Sequence, residues 1–134
     1  MKEEFKVALA EFEEFQLPKI VERELKLPPH DLITIVGPRR AGKTYFLFQK
    51  IKELGKSNCL FMNFERSSLV GAKAKDLNDM LVAYQELYGK DPNYIMLDEI
   101  QMVENWEIGV RELYDKKKYK ILVTGSSSKL LPRK

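Results

Sequence analysis

The 134-residue chain has a single cysteine and a single histidine. Cys59 therefore cannot form an internal disulfide, and its position inside an apolar run is typical of a small buried side chain in a reducing compartment. His30 has no second histidine with which to make the usual zinc spacing, so a metal-only hydrolase is not expected. No apolar run approaches the roughly 18 residues of a membrane span, and the N-terminus is acidic instead of apolar. These absences predict a cytoplasmic protein with no membrane partner.

A large net charge is also lacking, because 23 Lys and Arg oppose 20 Asp and Glu for a net charge of +3. A balance this close neither demands nor excludes nucleic acid as a partner. The length suits one hydrophobic core, so a single domain is expected over residues 1–134. Residues 1–27 are expected to form a helical and extended lead-in to an α/β core over residues 28–134.

Short, almost continuously apolar runs alternate with segments of helical spacing. Continuous apolar runs indicate strands that are buried on both faces, as in a parallel sheet covered by helices. An α/β sandwich with a mainly parallel sheet is therefore predicted. The predicted strands are Leu32–Val36, Cys59–Phe64, Tyr94–Leu97 and Lys120–Thr124, and the predicted helices are Thr44–Leu54, Asp76–Tyr88 and Trp106–Tyr114.

An amphipathic helix is also predicted at the N-terminus, where Phe5, Leu9, Phe12 and either Phe15 or Gln16 share one side. The period is lost after Pro18. We expect the apolar stripe to dock on the domain's own core, and the alternative is that it serves as a helix for a partner.

The octapeptide GPRRAGKT, Gly37 to Thr44, fits G-x-x-x-x-G-K-[ST] between a predicted strand and a predicted helix. Glycines let the backbone N–H groups turn inward around phosphate, the lysine reaches the β- and γ-phosphates, and the threonine hydroxyl binds Mg²⁺. Arg39 and Arg40 either contact phosphate or form an exposed, solvated pair. We assign nucleotide binding to the run Gly37, Pro38, Arg39, Arg40, Ala41, Gly42, Lys43, Thr44 and Tyr45.

Two adjacent carboxylates end the third predicted strand in YIMLDEIQ, Tyr94 to Gln101. Beside the phosphate-loop strand, Asp98 would bind the metal through a water, and Glu99 would orient or deprotonate the attacking water. The plainer interpretation is a pair of solvated acids at a strand end.

A third polar strand end occurs in ILVTGSSS, Ile121 to Ser128. Thr124 or Ser126 could contact the attacking water or the γ-phosphate as a sensor. The alternative is a turn whose hydroxyls bond to their own backbone. Together with Lys43 and Glu99, these two residues complete the set of predicted catalytic residues.

GPRRAGKT, DEIQ after YIML, Trp106 and TGSSSKLL together resemble the prokaryotic AAA-type P-loop ATPases, over roughly Pro18 to Leu131. The resemblance implies a three-layer P-loop sandwich with ATP and Mg²⁺ as cofactors. It implies that Lys43 and Thr44 contact nucleotide and metal, that Asp98 is the acid on the metal side, and that Glu99 is the catalytic carboxylate. Adenine would lie against Ile20 to Arg23.

Members of that family continue past the sensor strand into a lid and often a further domain, whereas this sequence ends at Lys134. The resemblance implies a strand order of second, third, fourth, first, fifth. Without a fifth strand, Leu32–Val36 would have an unpaired side, and such an edge invites pairing. We expect the edge to be covered by self-association with a second copy, by a swapped segment, or by the N-terminal PKIVERE stretch.

The favoured function is MgATP binding with slow hydrolysis in this chain alone. Fast hydrolysis generally needs an arginine that stabilises the charge developing on the phosphates, and Arg133 has no assigned position. One alternative is an inactive P-loop remnant that acts as an interaction module. Another is a nucleic-acid-associated ATPase that binds through DKKKYK, Asp115 to Lys120. For those lysines, a solvated face at the negative end of a helix is the simpler interpretation.

Overall fold

The computed structural model describes residues 1–19, 31–37 and 42–126. The described residues form an α/β arrangement in which helices and strands alternate after the first helix. The elements, in chain order, are α1 (Lys2–Glu14), β1 (Leu32–Gly37), α2 (Lys43–Leu54), β2 (Cys59–Asn63), α3 (Asp76–Tyr88), β3 (Tyr94–Asp98), α4 (Trp106–Asp115) and β4 (Lys120–Ser126).

The strands of the described residues form one four-stranded sheet in the order β1-β4-β3-β2, and all neighbours are parallel. This is the order that was expected for the first four strands. Parallel strands that are linked through helices place all their carboxyl ends at one edge of the sheet. The ends of β1, β3 and β4 therefore meet, and they carry the three motifs.

Apolar side chains alternate between the two faces of the sheet. In β4, Ile121 and Val123 join a large core with α1, α3 and α4, whereas Leu122 joins a smaller core with α2. In β3, Ile95 and Leu97 face the larger core, while Met96 faces the smaller one. Helices on both faces explain why the strands are continuously apolar, and the result is a three-layer P-loop NTPase-like fold.

The first helix docks on the domain's own core, as expected. Phe5 and Leu9 of α1 are buried in the larger cluster, and Phe5 packs edge-to-face on Phe64 with ring centroids 6.3 Å apart. Phe12 stacks on Phe61 of β2 at 4.9 Å. The stripe is thus used within the chain, and α1 covers the sheet on the side of β2.

Predicted boundaries are accurate to within two residues for the sheet and for the later helices. α3 has the predicted bounds, and Gly89 ends it in the left-handed conformation with φ of 66° and a bond from its N–H to Gln85 O of 2.8 Å. β4 continues two residues beyond Thr124, to Ser126. Cys59 is buried, and burial raises its pKa to about 11.

One side of β1 has no strand partner within the described residues, and Val36 is 46% exposed there. The predicted cover by PKIVERE falls largely on residues 20–30, outside the described residues. None of the helices in the described ranges is long and apolar enough to cross a membrane.

Candidate functional site

The site lies where the chain leaves β1, β3 and β4. Gly37 at the end of β1 is in register with Ser126 at the end of β4, and Asp98 ends β3. Gly42 precedes α2 with φ of 86°, a left-handed conformation that favours glycine. This turn starts α2 at Lys43, so the lysine and Thr44 lie beside the strand ends.

The Lys43 ammonium is buried at the centre of the site, and the residue is only 7% exposed. Its Nζ donates to Gly37 O at 2.9 Å and to Gly125 O at 2.7 Å. The Glu99 carboxylate lies 3.6 Å away through Oε1. The lysine therefore joins the ends of β1 and β4 to the acid that follows β3.

Asp98 is fully buried and accepts two hydroxyl hydrogen bonds. Thr44 Oγ1 donates to Oδ2 at 2.7 Å, and Thr124 Oγ1 donates to Oδ1 at 2.6 Å. Burial raises the pKa of Asp98, with Glu99 adding to the shift, while the two threonine bonds oppose it. A buried carboxylate in this setting favours a proton or a cation as its neighbour.

Glu99 follows in a conformation that non-glycine residues rarely adopt, with φ of 54° and ψ of 52°. Its N–H donates to Thr124 Oγ1 at 3.2 Å, and its Oε2 accepts from Gln101 Nε2 at 2.5 Å. Because the residue is only 5% exposed, its carboxylate lies inside the site instead of in solvent. Strained backbone of this kind is often found at functional positions.

The donor set fits a hard divalent cation. Magnesium binds oxygen ligands and is usually held by one or two protein groups together with phosphate and water. The Thr44 hydroxyl and the Asp98 carboxylate are such ligands, and they are already in contact at 2.7 Å. The described residues contain no cluster of three or more His, Cys, Asp or Glu that could hold a metal without phosphate.

The structure brings together the predicted residues Lys43, Thr44, Asp98, Glu99 and Thr124. The buried hydroxyl of Thr124 donates to Asp98 and accepts from the Glu99 main chain. Ser126 ends β4 beside Gly37, half-buried. Tyr45 is 59% exposed on α2. The remaining predicted positions lie outside the described residues, namely Pro38, Arg39, Arg40, Ala41, Ile20 to Arg23, His30 and Arg133.

Two members of the site were not singled out from the sequence. Gly125 supplies a main-chain carbonyl to Lys43, and main-chain contacts leave no side-chain signal. Gln101 belongs to the DEIQ motif, and its position two residues after Glu99 was the available signal. The spacing predicts a contact only when the backbone turn at Glu99 is known, because that turn brings the two side chains together.

The lysine run 116–118 lies after α4, at the opposite edge of the sheet from this site, and its side chains are exposed. Lys120 begins β4 and is exposed as well, whereas Tyr119 is buried with its hydroxyl on Asp91. The solvated lysine face proposed from the sequence matches this exposure.

Comparison with known proteins places the chain beside a family and several longer relatives. A family model described as AAA domain matches residues 29–134. A protein of Methanocaldococcus jannaschii, Uncharacterized protein MJ1544, is 41% identical over 117 residues, covering 86% of this chain and 26% of the relative. Uncharacterized protein MJ1637 of the same organism is 30% identical over 84% of this chain and 25% of its own length. An uncharacterized protein of Haemophilus influenzae is 33% identical over 75% of this chain and 27% of its own length. The chain thus spans about a quarter of the curated relatives that it matches.

Proposed function

Because the chain belongs to the AAA domain family, we propose that it is the MgATP-binding core of an AAA-type ATPase, with slow hydrolysis in this chain alone. The observation that carries the proposal is the 2.7 Å contact between the Thr44 hydroxyl and the Asp98 carboxylate. The Thr44 hydroxyl comes from α2, which follows β1. The Asp98 carboxylate comes from β3, which lies two positions from β1 in the sheet. Their convergence is the geometry that a shared magnesium ion requires.

In this proposal Thr44 and Asp98 hold Mg²⁺, and Lys43 binds the β- and γ-phosphates. The metal, when bound, neutralises charge that develops on the phosphates. The run from Gly37 to Tyr45, of which residues 38–41 lie outside the described residues, is proposed as the main-chain cradle for phosphate. Since the buried Asp98 has no cationic side chain in contact among the described residues, a divalent ion would supply its counter-charge.

Glu99 is proposed as the carboxylate that orients or deprotonates the attacking water. Its burial beside Lys43 supports this role, because a carboxylate at an ordinary solvated strand end would be exposed. Thr124 is proposed to keep Asp98 and Glu99 in position, and Ser126 remains the candidate for contact with the γ-phosphate.

The proposal is tested by calorimetry and thermal unfolding with MgATP and with ATP in EDTA. At a hundredfold excess over the dissociation constant, nucleotide should raise the melting temperature by roughly 10 °C. Lys43→Ala should lose this shift, while Lys52→Ala, at an exposed position of the same helix, should keep it. A shift of equal size in Lys43→Ala, or one that does not depend on Mg²⁺, contradicts the assignment. Absence of any binding heat would instead favour the inactive interaction module.

Nucleic-acid association is a second candidate, supported by the exposed run from Lys116 to Lys118. Single-stranded DNA can be titrated at 50 and 200 mM salt, where a site with several phosphate contacts loses affinity steeply. A salt-independent or undetectable interaction removes this candidate.

Self-association through β1 is a separate proposal, supported by the exposed Val36 on the edge strand, and a mass measurement in solution tests it.

A further inference from the structure

The side chain of Gln101 is held in a position that lowers the stability of the fold, which is unexpected for a residue with no function. Its Nε2 donates to Glu99 Oε2 at 2.5 Å. An ionised carboxylate can only accept hydrogen bonds, so the NH₂ end of the amide must face Glu99. The carbonyl end, Oε1, is then left buried with no hydrogen-bond partner among the described residues. An unpaired buried acceptor is destabilising, whereas an apolar side chain of similar length would avoid that penalty.

Among the described residues the Glu99 carboxylate has two side-chain partners, Lys43 and Gln101, and only one of them can keep its place when phosphate binds. Lys43 lies 3.6 Å from Oε1, but in the proposed function its ammonium contacts phosphate. Gln101 holds the other oxygen, Oε2, and no binding role draws it away. Within the described part of the chain, Gln101 is therefore the side chain that can keep Glu99 fixed throughout a reaction.

The backbone explains why the glutamine stands two residues after the acid. Glu99 has the left-handed conformation, and a 3₁₀ turn over Ile100–Met102 follows it directly. Val103 N–H bonds back to Ile100 O at 2.9 Å, which closes that turn. The turn folds the side chain of Gln101 back over the carboxylate, as the 2.5 Å bond shows.

We infer that Gln101 is a positioning residue, whose amide fixes the Glu99 carboxylate in the orientation needed to act on the attacking water. The inference rests on the proposed function, and it gives the fourth residue of DEIQ a role. A carboxylate misplaced by about 1 Å can lose as much as a hundredfold in rate. Loss of the amide should therefore reduce turnover and leave nucleotide binding unchanged.

The test compares Gln101→Met with Gln85→Met in the full chain. Gln85 is also half-buried and also donates through Nε2 to a carboxylate, Asp91, at 2.6 Å, but it lies at the opposite end of β3. Gln101→Met should bind MgATP with wild-type affinity in calorimetry and hydrolyse it roughly 10 to 100 times more slowly in single-turnover assays. Gln85→Met should retain wild-type turnover.

Stability separates positioning from a structural role. Because methionine removes the unpaired oxygen, Gln101→Met should unfold at the wild-type temperature or above it. A large drop in melting temperature together with lost turnover would mean that the glutamine is structural, and this would overturn the inference.

A second variant, Gln101→Glu, adds a pH readout. At neutral pH its new carboxylate repels Glu99, so turnover should be no better than in Gln101→Met. As the pH falls, the new carboxyl group gains a proton that it can donate to Glu99, and turnover relative to wild type should rise. If the ratio of Gln101→Glu turnover to wild-type turnover stays constant across pH 5 to 8, loss of the hydrogen bond to Glu99 is not the cause of the reduced turnover.

The possible outcomes distinguish this inference from the function on which it rests. If wild type binds and hydrolyses MgATP and Gln101→Met does so equally fast, the positioning role is wrong and the proposed function stands. If wild type does not bind MgATP, or binds without hydrolysing it over a day, the proposed function fails and the positioning role with it. The contact itself is checked by NMR, because the side-chain NH₂ signals of Gln101 should shift in Glu99→Ala and stay unchanged in Asp91→Ala.

Discussion

The two ends of β3 each carry an aspartate that accepts two side-chain hydrogen bonds, yet their environments differ. Asp91, before the strand, is half-buried and accepts from Gln85 at 2.6 Å and from Tyr119 at 3.2 Å. The Gln85 bond is the main cause that lowers its pKa, with help from the Tyr119 bond and two nearby lysines. Asp98, at the other end, is fully buried, and its pKa is raised chiefly by that burial.

The contrast separates an end of the strand that favours a charged carboxylate from an end that disfavours one. At Asp91 the surrounding groups favour the charged carboxylate, so the contacts help folding. At Asp98 the two hydroxyl bonds do not compensate for burial, so the folded protein disfavours the charged form of this carboxyl group. Buried charge without a counter-ion is unusual in a protein interior, and it is typical of functional sites.

Of the substitutions that compare the two ends of β3, Glu99→Gln should have the largest effect. This change keeps the shape of the side chain and removes its ability to accept a proton, so turnover should fall by about 10²- to 10⁴-fold while MgATP binding persists. Single-turnover hydrolysis and calorimetry measure the two quantities. Asp91→Asn is the control at the other end and should keep wild-type turnover. Unaffected hydrolysis in Glu99→Gln would show that another group acts on the water.

A second comparison removes one hydroxyl from each aspartate. Thr124→Val leaves Asp98 with one bond and also deprives the Glu99 N–H of its acceptor, so it should reduce the unfolding free energy by about 1 to 3 kcal/mol. Tyr119→Phe removes only the longer bond to the half-buried Asp91 and should cost about 0.5 to 1.5 kcal/mol. Urea denaturation gives both values. If the two variants lose equal unfolding free energy, the hydrogen bonds around Asp98 contribute no more to stability than those around Asp91.

The smallest effects concern pH, and they should have opposite signs at the two ends. A lowered pKa means that folded Asp91 binds fewer protons than unfolded Asp91. Its stabilising contribution is therefore present above the ordinary value of 3.8 and is lost as the pH falls through the folded value. Asp91→Asn should be less stable than wild type at neutral pH, and the difference should vanish in acid.

For Asp98 the raised pKa reverses the argument. Its contribution to folding is present below 3.8 and is lost as the pH rises through the folded value. Without nucleotide or metal, Asp98→Asn should therefore gain stability relative to wild type as the pH rises above 3.8. Unfolding at several pH values in EDTA measures both differences. The same sign for both variants would refute the contrast between the ends of β3.

Much of this arrangement could be predicted from the order of residues. Runs such as Lys120–Thr124 are apolar without alternation, so burial on both faces and a parallel sheet followed. The helix predicted from Thr44 begins one residue earlier, at Lys43. The shared edge followed as well, because parallel strands linked by helices all end on one side. The AAA-type resemblance, stated from the motifs, agrees with the family to which residues 29–134 belong.

Other features could not be predicted because they depend on side-chain direction. Thr124 or Ser126 was expected to contact the attacking water or the γ-phosphate, and the bonds of the Thr124 hydroxyl to Asp98 and to the Glu99 main chain were not predicted. The contact between Gln101 and Glu99 was not predicted, because residues two apart do not face each other on a helix and both residues follow the predicted strand Tyr94–Leu97. Only the left-handed turn at Glu99 makes that contact possible.

The sequence by itself determined the layered α/β fold and the approximate bounds of its elements, because hydrophobic periodicity and glycine-rich turns act locally. It also determined which residue types reach the functional edge. The tertiary structure decided the partners of those residues: Asp98 with Thr44 and Thr124, and Glu99 with Lys43 and Gln101. Such pairings depend on rotamers and strand register across β1, β3 and β4, and these are fixed only when the sheet is packed between its helices.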